Sequence, residues 1–292
     1  MKFAPSARTA YGNANAPRKF ERKLEVTLDH MEYATLRKIA IDAGAHQMDD
    51  DVSHLILRFD PDPERGAIVS IPSPFILDMI IQRVIKGDAE KLRDWFDLFM
   101  RSSFSRGTAG WILDSVFHHS LLRKGQWPVL ELKEEKARTQ FHWRSVSPAP
   151  TTSYHMIFNS QAQNISITST ISEDQPLIMP TQPYDVSVTL NLRSDMCYYQ
   201  PIQRNQATFD GFIWTGHNAG LAVVFQATVS ESHTVKKKGF DWLLGLTGVK
   251  EVWYVAVTPA DIKVDFLVEQ GVVQESRIAR HYHIKMNLNE VG

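Results

Sequence analysis

The sequence predicts an α/β fold, in which a mixed sheet core is flanked by helices, with an inserted β-rich meander and a small N-terminal α+β region. Near-continuous apolar runs at residues 221–229 and 251–259 are typical of strands buried on both faces. A helical pattern covers residues 109–123, and a short helix is predicted within residues 230–245. Helices that alternate with buried strands indicate a sheet covered by helices.

The composition is that of a globular protein and leaves several function classes open. The 292 residues are 43% hydrophobic, which is enough for a packed core. Lys and Arg number 32 against 33 Asp and Glu, so any basic surface that binds nucleic acid must be local. The single cysteine, Cys197, excludes an intramolecular disulfide and favours a reducing compartment, although a small buried hydrophobe is its commoner role. No apolar run is long enough to span a bilayer, so we expect no membrane association.

The pattern along the chain predicts three parts. Residues 1–20 lack periodicity and are predicted to be a disordered tail. Residues 21–104 form the N-terminal α+β region, in which Ser73-Pro74 and Asp88 each begin a helix. Residues 105–292 form the main domain, with the β-rich insertion at about 150–195.

Within the main domain, the predicted order is helix, strand, hairpin, helix, strand. The first strand is residues 127–133, and residues 134–150, which are charged and then rich in Pro and Ser, are predicted to be a linker. Residues 184–192 alternate cleanly and are predicted to be a strand of the insertion. Residues 262–267 and 279–288 end the chain as strands.

The central hairpin, residues 207–229, carries the polar residues that most need an explanation. Asp210 is the only carboxylate in an otherwise apolar strand, and the turn at residues 215–220 brings it to the same end as Gln226. The two-residue period of a strand points Gln226 and Thr228 to one face, but the sequence does not fix the register. Asp210 is therefore either a strand-end residue satisfied by nearby backbone or part of a polar or metal site.

Two further groups of residues could carry chemistry. Asp114 and His118 lie four residues apart on the predicted helix, hence on one face, although such pairs are also common on helix surfaces. His233 with Lys236, Lys237 and Lys238 forms the dense basic cluster near the hairpin, which is either a phosphate-contacting surface or a solvated helix start. Neither a phosphate-binding Gly-Lys loop nor a Cys/His zinc spacing is present in the sequence.

Three segments resemble the C-terminal domain of fungal Crinkler-like and retrotransposon-hot-spot-like proteins. They are Ala109-Gly-Trp-Ile-Leu-Asp-Ser-Val-Phe-His118, Tyr199-Gln-Pro-Ile-Gln-Arg-Asn-Gln-Ala-Thr-Phe-Asp-Gly-Phe-Ile213 and Val224-Phe-Gln-Ala-Thr-Val-Ser-Glu-Ser-His233 with the lysines that follow. The resemblance covers about residues 50–290, though residues 154–192 contribute little to it. It implies a divergent restriction-endonuclease-like fold, in effectors or selfish-element proteins that act in nuclei.

Carried over residue by residue, the resemblance implies a metal-dependent nuclease site. Asp114 stands where the family has a helix glutamate and Asp210 stands at the strand acid, and both would hold Mg²⁺. The predicted catalytic residues also include Gln226 and Thr228, which occupy the Glu-x-Lys position and so depart from the pattern of better-known relatives. Gln226 can still ligate a metal through its carbonyl oxygen. Because Thr228 brings no charge, one of Lys236, Lys237 or Lys238 on the following helix would have to reach back to the scissile phosphate, and we take Lys237 as the catalytic candidate.

Two other functions stay open beside metal-dependent cleavage of DNA or RNA. One is a catalytically inactive nuclease-fold effector or protein-interaction module, which the uncharged Gln226 and Thr228 would suit. The other is a β-rich domain that binds a small molecule or a protein and is unrelated to nucleases. The expected partner is nucleic acid or a protein, and the expected location is the nucleus or cytoplasm, including that of a host cell.

Overall fold

The computed structural model of the chain describes residues 17–42, 55–62, 66–85, 88–101, 105–145, 154–170, 177–202, 206 and 208–288. Two compact units make up the chain: Met1–Ser115 with Leu288–Gly292, and Val116–Asn287. We call them the N-terminal unit and the C-terminal unit. The boundary falls within one helix, Arg106–Leu121. Of the predicted disordered tail, residues 1–16 lie outside the described residues, whereas residues 17–20 belong to a helix that begins at Pro17, so the prediction was wrong there.

The N-terminal unit combines helices with a two-stranded sheet. Its elements are α1 (Pro17–Asp29), α2 (Tyr33–Asp42), β1 (Arg58–Asp62), β2 (Gly66–Ser70), α3 (Pro74–Ile80) with a π-helical turn Ile81–Ile85, α4 (Ala89–Met100) and the first part of α5 (Arg106–Leu121). Strands β1 and β2 pair antiparallel. The predicted helix starts are confirmed, because Ser73 Oγ accepts from Ile76 N (3.4 Å) and Asp88 Oδ1 accepts from Lys91 N (3.1 Å).

The C-terminal unit is built on one large mixed sheet, which comprises twelve strands in the described part of the chain. They are β3 (Gln126–Ala137), β4 (Gln140–Ser145), β5 (Tyr154–Asn159), β6 (Asn164–Thr168), β7 (Thr181–Tyr184), β8 (Cys197–Pro201), β9 (Gly211–Trp214), β10 (Leu221–Ala227), β11 (Thr234–Val235), β12 (Glu251–Pro259), β13 (Asp265–Val268) and β14 (Ile278–Met286). Two helices accompany them, α6 (Lys237–Leu244) and the short α7 (Gln270–Val273).

The order of the strands places the central hairpin in the middle of the sheet. The path is β11-β13-β4-β3-β14-β12-β10-β9-β8-β7, and β5 joins β3 to β6. Strand β10 pairs antiparallel with β9 and parallel with β12, which is in turn parallel to β14. The strand beside β9 is β8, whereas the predicted first strand, within β3, pairs with β4, β5 and β14. The predicted α/β class with a mixed sheet is therefore confirmed.

Helices cover the middle of the sheet on both faces. On one face, Phe240 of α6 lies 6.1 Å from Tyr254 of β12, measured between ring centroids. On the other face, Phe117 of α5 lies 5.2 Å from Phe225 of β10. Both faces of β10 and β12 are therefore buried, which explains their continuous apolar sequences. Among the described helices, none has the length and apolar character needed to cross a bilayer.

The predicted linker at residues 134–150 was wrong over its first part. Residues 134–145 belong to β3 and β4, which pair antiparallel around a turn at Arg138, whose φ is 58°. The pairing is stabilised across the strands, since Arg144 Nη1 donates to Glu135 Oε2 over 2.7 Å, and by burial of Trp143. The charged residues on the exposed face of this hairpin are the reason why a linker was predicted. Residues 146–150 lie outside the described residues.

The predicted strand at residues 184–192 was also wrong. Strand β7 ends at Tyr184, and Asp185 then folds the chain into a turn: its Oδ1 accepts from Ser187 N (2.9 Å) and from Ser187 Oγ (2.7 Å). Val188 N also donates to the carbonyl oxygen of Asp185 over 3.1 Å. A short aspartate side chain that hydrogen-bonds to nearby backbone competes with strand formation. The alternation of polar and apolar residues was therefore not sufficient to predict a strand here.

Candidate functional site

Asp210 and Gln226 meet on neighbouring strands at one end of the central hairpin. The register pairs Gly211 with Phe225, which leaves Asp210 beside Gln226. Gln226 Nε2 donates to Asp210 Oδ2 over 2.7 Å, and the backbone N–H of Ala227 donates to the same oxygen over 2.8 Å. The predicted approach of Asp210 to Gln226 is therefore confirmed, and so is the expectation that nearby backbone contacts this acid.

Gly211, which follows Asp210, fixes how closely β9 approaches β8. A Cβ atom at this position would lie 2.7 Å from the Tyr198 hydroxyl and 3.1 Å from the carbonyl oxygen of Tyr199. The Tyr198 hydroxyl is itself hydrogen-bonded to His118 Nδ1 of α5. A side chain larger than hydrogen would therefore push Asp210 away from its position.

Three buried polar atoms share the face of the sheet that carries Asp210. They are Gln226 Oε1, the Tyr254 hydroxyl and the Tyr184 hydroxyl, and none has a hydrogen-bond partner among the described residues. Burial raises the pKa of both phenols, and the nearby Asp210 charge raises it further. The phenols thus stay protonated at neutral pH and can donate hydrogen bonds.

The two tyrosines were missed in the sequence. Tyr254 lies two residues from Ala256, the register partner of Gln226, so strand period alone places it on the same face. This signal could have been used, because β12 was recognised as a buried strand. Tyr184 had no such signal, since its ring is held by Trp242 (5.2 Å, stacked) and Phe212 (5.4 Å), both remote in sequence.

Thr228 and Lys237, two predicted catalytic residues, make contacts away from Asp210. Thr228 Oγ1 accepts from Ser230 N over 3.1 Å in a local turn. Lys237 forms an ion pair with Asp241 on its own helix, and its backbone N–H donates to Glu269 Oε2 over 2.7 Å. Their predicted roles in catalysis stay predictions.

The basic cluster lies at the start of α6 and is joined to the strand that carries Asp210. Thr208 Oγ1 donates to the carbonyl oxygen of Lys236 over 2.6 Å, and Thr208 has a φ of 89°. Positive φ is rare for a β-branched residue and costs about 1–3 kcal/mol. Thr208 lies two residues before Asp210 in the sequence, so this strained link joins the start of α6 to the segment that carries Asp210. The side chains of Lys236 and Lys238 are exposed, and His233 is partly buried.

Asp114 is buried on α5, with 8% of its surface exposed, and belongs to the N-terminal unit. Asp210 and Gln226 belong to the C-terminal unit. The predicted convergence of Asp114 with them therefore stays a prediction. His118, one helical turn further on, serves as a partner of Tyr198 rather than as an exposed helix residue.

A Mg²⁺ ion would find a small but suitable donor set at Asp210 and Gln226. Among the described residues, no three His, Cys, Asp or Glu side chains lie close enough together to hold a metal ion. However, Mg²⁺ is usually held by one or two carboxylates, several waters and substrate phosphate. One carboxylate and the buried, unbonded Gln226 Oε1 fit that requirement.

Comparisons with protein-family models, with curated proteins and with solved structures find no match for this chain. No family membership and no known neighbour of the fold therefore bears on its function. A functional assignment rests on the geometry around Asp210, together with the resemblance of the three sequence segments.

Proposed function

We propose that the C-terminal unit is a divergent restriction-endonuclease-like domain that binds nucleic acid and cleaves phosphodiester bonds with Mg²⁺. The observation that carries the proposal is the contact between Asp210 and Gln226 on neighbouring strands, beside a helix whose N-cap and first two residues are lysines. The resemblance to Crinkler-like and retrotransposon-hot-spot-like proteins implies this same position for the strand acid.

The burial of Gln226 beside the half-buried Asp210 supports a metal centre over an ordinary surface contact. Gln226 is 7% exposed, and a buried amide oxygen without a hydrogen bond costs roughly 1–3 kcal/mol. Such a cost persists where a function needs the group. A hard cation or a donor group of a substrate would satisfy Gln226 Oε1 beside the charge of Asp210.

In this proposal the residues of the chain have distinct roles. A bound Mg²⁺ would polarise a phosphate oxygen and lower the pKa of a coordinated water. Asp210 would supply the negative charge that holds the cation, and Gln226 would supply a neutral oxygen. The two hydrogen bonds from Gln226 Nε2 and Ala227 N fix the orientation of the carboxylate. Lys236 and Lys238, exposed at the start of α6, would contact phosphate.

The alternative function, a nuclease-fold module without catalysis, is favoured by a different observation. Gln226 already satisfies Asp210 with an amide hydrogen bond, so the carboxylate is compensated without a cation. In addition, Lys237 is held by Asp241 and Glu269. A protein with these contacts could keep the fold and bind a partner without cutting it.

A cleavage assay separates the two functions. The full chain is incubated with single- and double-stranded DNA and RNA, in Mg²⁺, in Mn²⁺ or in EDTA. The proposal predicts cleavage that requires a divalent ion and that falls by at least a hundredfold in Asp210→Asn, because the asparagine keeps the shape but removes the charge. The matched control is Lys250→Gln, which should cleave normally. Lys250 is exposed and directly precedes β12, at the end of that strand opposite to the end beside Gln226. A wild type that binds these nucleic acids without cutting any of them would favour the alternative.

A further inference from the structure

We propose that a groove beside the start of α6 binds the sugar–phosphate backbone of a nucleic-acid strand and leads that strand to Asp210. The inference rests on the proposed function and names the path of its substrate. The groove has a volume of about 800 Å³, within the range of ligand sites. Strands β4, β11 and β13 and the segments beside them form it, and its lining includes His142, Ser232, His233, Lys236, Lys263 and Asp265.

The groove is joined to the Asp210 centre through Lys236. This residue lines the groove, and its carbonyl oxygen accepts the hydrogen bond from Thr208, two residues before Asp210. A strand lying in the groove would therefore pass the start of α6, where Lys238 is also exposed. The groove therefore differs from a pocket elsewhere on the unit in that one of its lining residues, Lys236, is hydrogen-bonded to the segment that carries Asp210.

The charges in the groove favour an anionic ligand. Lys236 and Lys263 are exposed, and no described carboxylate forms an ion pair with either of them. The acid on the wall, Asp265, is already compensated, since Arg144 Nη2 lies 3.0 Å and His142 Nδ1 2.7 Å from its carboxylate oxygens. The remaining acid in the lining is Glu231, which is exposed. Two lysines are thus available for phosphate, and one carboxylate opposes it.

His233 adds an oriented polar group to the wall. Its ring packs edge-on against Phe266, with 5.7 Å between the ring centroids. Burial, and next the charge of Lys236, lower the pKa of His233, so its imidazole is neutral at pH 7. A neutral imidazole can donate one hydrogen bond to a phosphate oxygen without a charge of its own. Contacts of this kind read no sequence, so we expect binding that is independent of base sequence.

Two substitutions of opposite charge test the groove. The affinity of the full chain for fluorescent single-stranded and double-stranded DNA and RNA is measured against salt, for Lys263→Gln, for Glu231→Gln and for the control Lys250→Gln. Lys263→Gln should weaken binding severalfold and reduce the slope of log K against log salt by about 0.7–0.9, which is the loss of one phosphate contact. Glu231→Gln should tighten binding, because it removes a repulsive charge. All three positions are exposed, so thermal melting should be unchanged.

Each outcome of this experiment decides something. If wild type binds and cleaves but neither groove substitution changes affinity more than Lys250→Gln does, the groove is not the path and the proposed function stands. If Lys263→Gln tightens binding and Glu231→Gln weakens it, the groove prefers a cationic partner and the inference is overturned. If wild type binds no nucleic acid at all, both the groove inference and the proposed function fall.

Discussion

Gln226 Nε2 donates a hydrogen bond to Asp210 Oδ2 over 2.7 Å, which joins the end of β10 to the start of β9. The contact places a neutral amide where the resemblance implies a glutamate. A second carboxylate at this position would repel Asp210 unless a cation lay between them. The pair therefore combines a stable hydrogen bond in the metal-free protein with an amide oxygen that can still accept a ligand.

We expect Asp210→Ala to destabilise the protein more than Asp210→Asn does. Alanine leaves the N–H groups of Gln226 and Ala227 without their acceptor, which should cost about 2–4 kcal/mol for the two bonds. Asparagine can place its oxygen where Oδ2 lies and accept both bonds, so its free energy of unfolding should stay within about 1 kcal/mol of wild type. Denaturant titration of the two variants measures the difference. Equal losses in both variants would show that the charge, rather than the acceptor geometry, stabilises this end of the hairpin.

Gln226→Glu should make the stability of the protein depend on divalent metal. In EDTA, two adjacent carboxylates repel, and we expect a loss of about 1–3 kcal/mol. Mg²⁺ should restore the melting temperature of the variant, because a cation that binds only the folded state stabilises it. Melting curves in EDTA and in Mg²⁺ for wild type and variant measure this. A variant whose melting temperature Mg²⁺ does not raise would speak against a metal position between the two side chains.

Gly211→Ala should destabilise the C-terminal unit by about 1–3 kcal/mol, since the added Cβ meets the Tyr198 hydroxyl at 2.7 Å. Tyr198→Phe removes that hydroxyl and its bond to His118, at a cost of about 1 kcal/mol. The double variant should therefore be more stable than the sum of the two losses predicts, by at least about 0.5 kcal/mol. Strict additivity in a double-mutant cycle would show that the clash is with other atoms.

His283 should make the protein less stable as the pH falls below about 6.5. Its side chain is fully buried and Nε2 lies 2.8 Å from Thr258 Oγ1. Burial, and then Lys285, lower its pKa from 6.5 to about 4. Between these pH values the unfolded chain binds the proton and the folded chain does not. The contribution of the neutral His283 to the free energy of unfolding is therefore fully present above pH 6.5 and is lost as the pH falls toward 4. The expected loss is on the order of 2–3 kcal/mol.

The variant that tests this titration is His283→Gln, compared with wild type. His283→Gln should lower stability at pH 7 and reduce its dependence on pH between 6.5 and 4. The partly buried His281, whose pKa burial also lowers to about 4, keeps its own share of that dependence. Unfolding in urea at a series of pH values gives both curves. If His283→Gln and wild type lose the same free energy over this range, other groups carry the acid sensitivity.

The hairpin could be predicted because its local sequence pattern, an apolar strand after a glycine-containing turn, agrees with its buried position in the sheet. The run from Leu221 to Phe225 is apolar on both faces, and the turn before it supplies Gly216 and Gly220 at φ values of 89° and 67°. Asp210 and Gln226 could therefore be placed at one end before the register was known. The register itself depends on contacts with β8 and β12, which the hairpin sequence does not encode.

The remaining parts of the site depend on packing between distant segments. Tyr184 reaches the neighbourhood of Asp210 because Phe212 and Trp242 hold its ring, and no local pattern at residue 184 indicates that. In the same way, the groove needs β4, which was predicted as a linker because its charged residues face outward. Local period predicts which strands are buried, but not which of them become neighbours.

The most direct test of the metal centre is a titration of Mn²⁺ into the full chain, with a phosphorothioate DNA strand present, followed by calorimetry. We predict that wild type binds Mn²⁺ at least tenfold more tightly than Asp210→Asn. Gln226→Ala should show an intermediate affinity, because it removes the neutral oxygen and one hydrogen bond to the carboxylate but leaves the charge of Asp210. The same affinity in wild type and Asp210→Asn would contradict the account, since Asp210 would then not hold the cation on which the proposed cleavage depends.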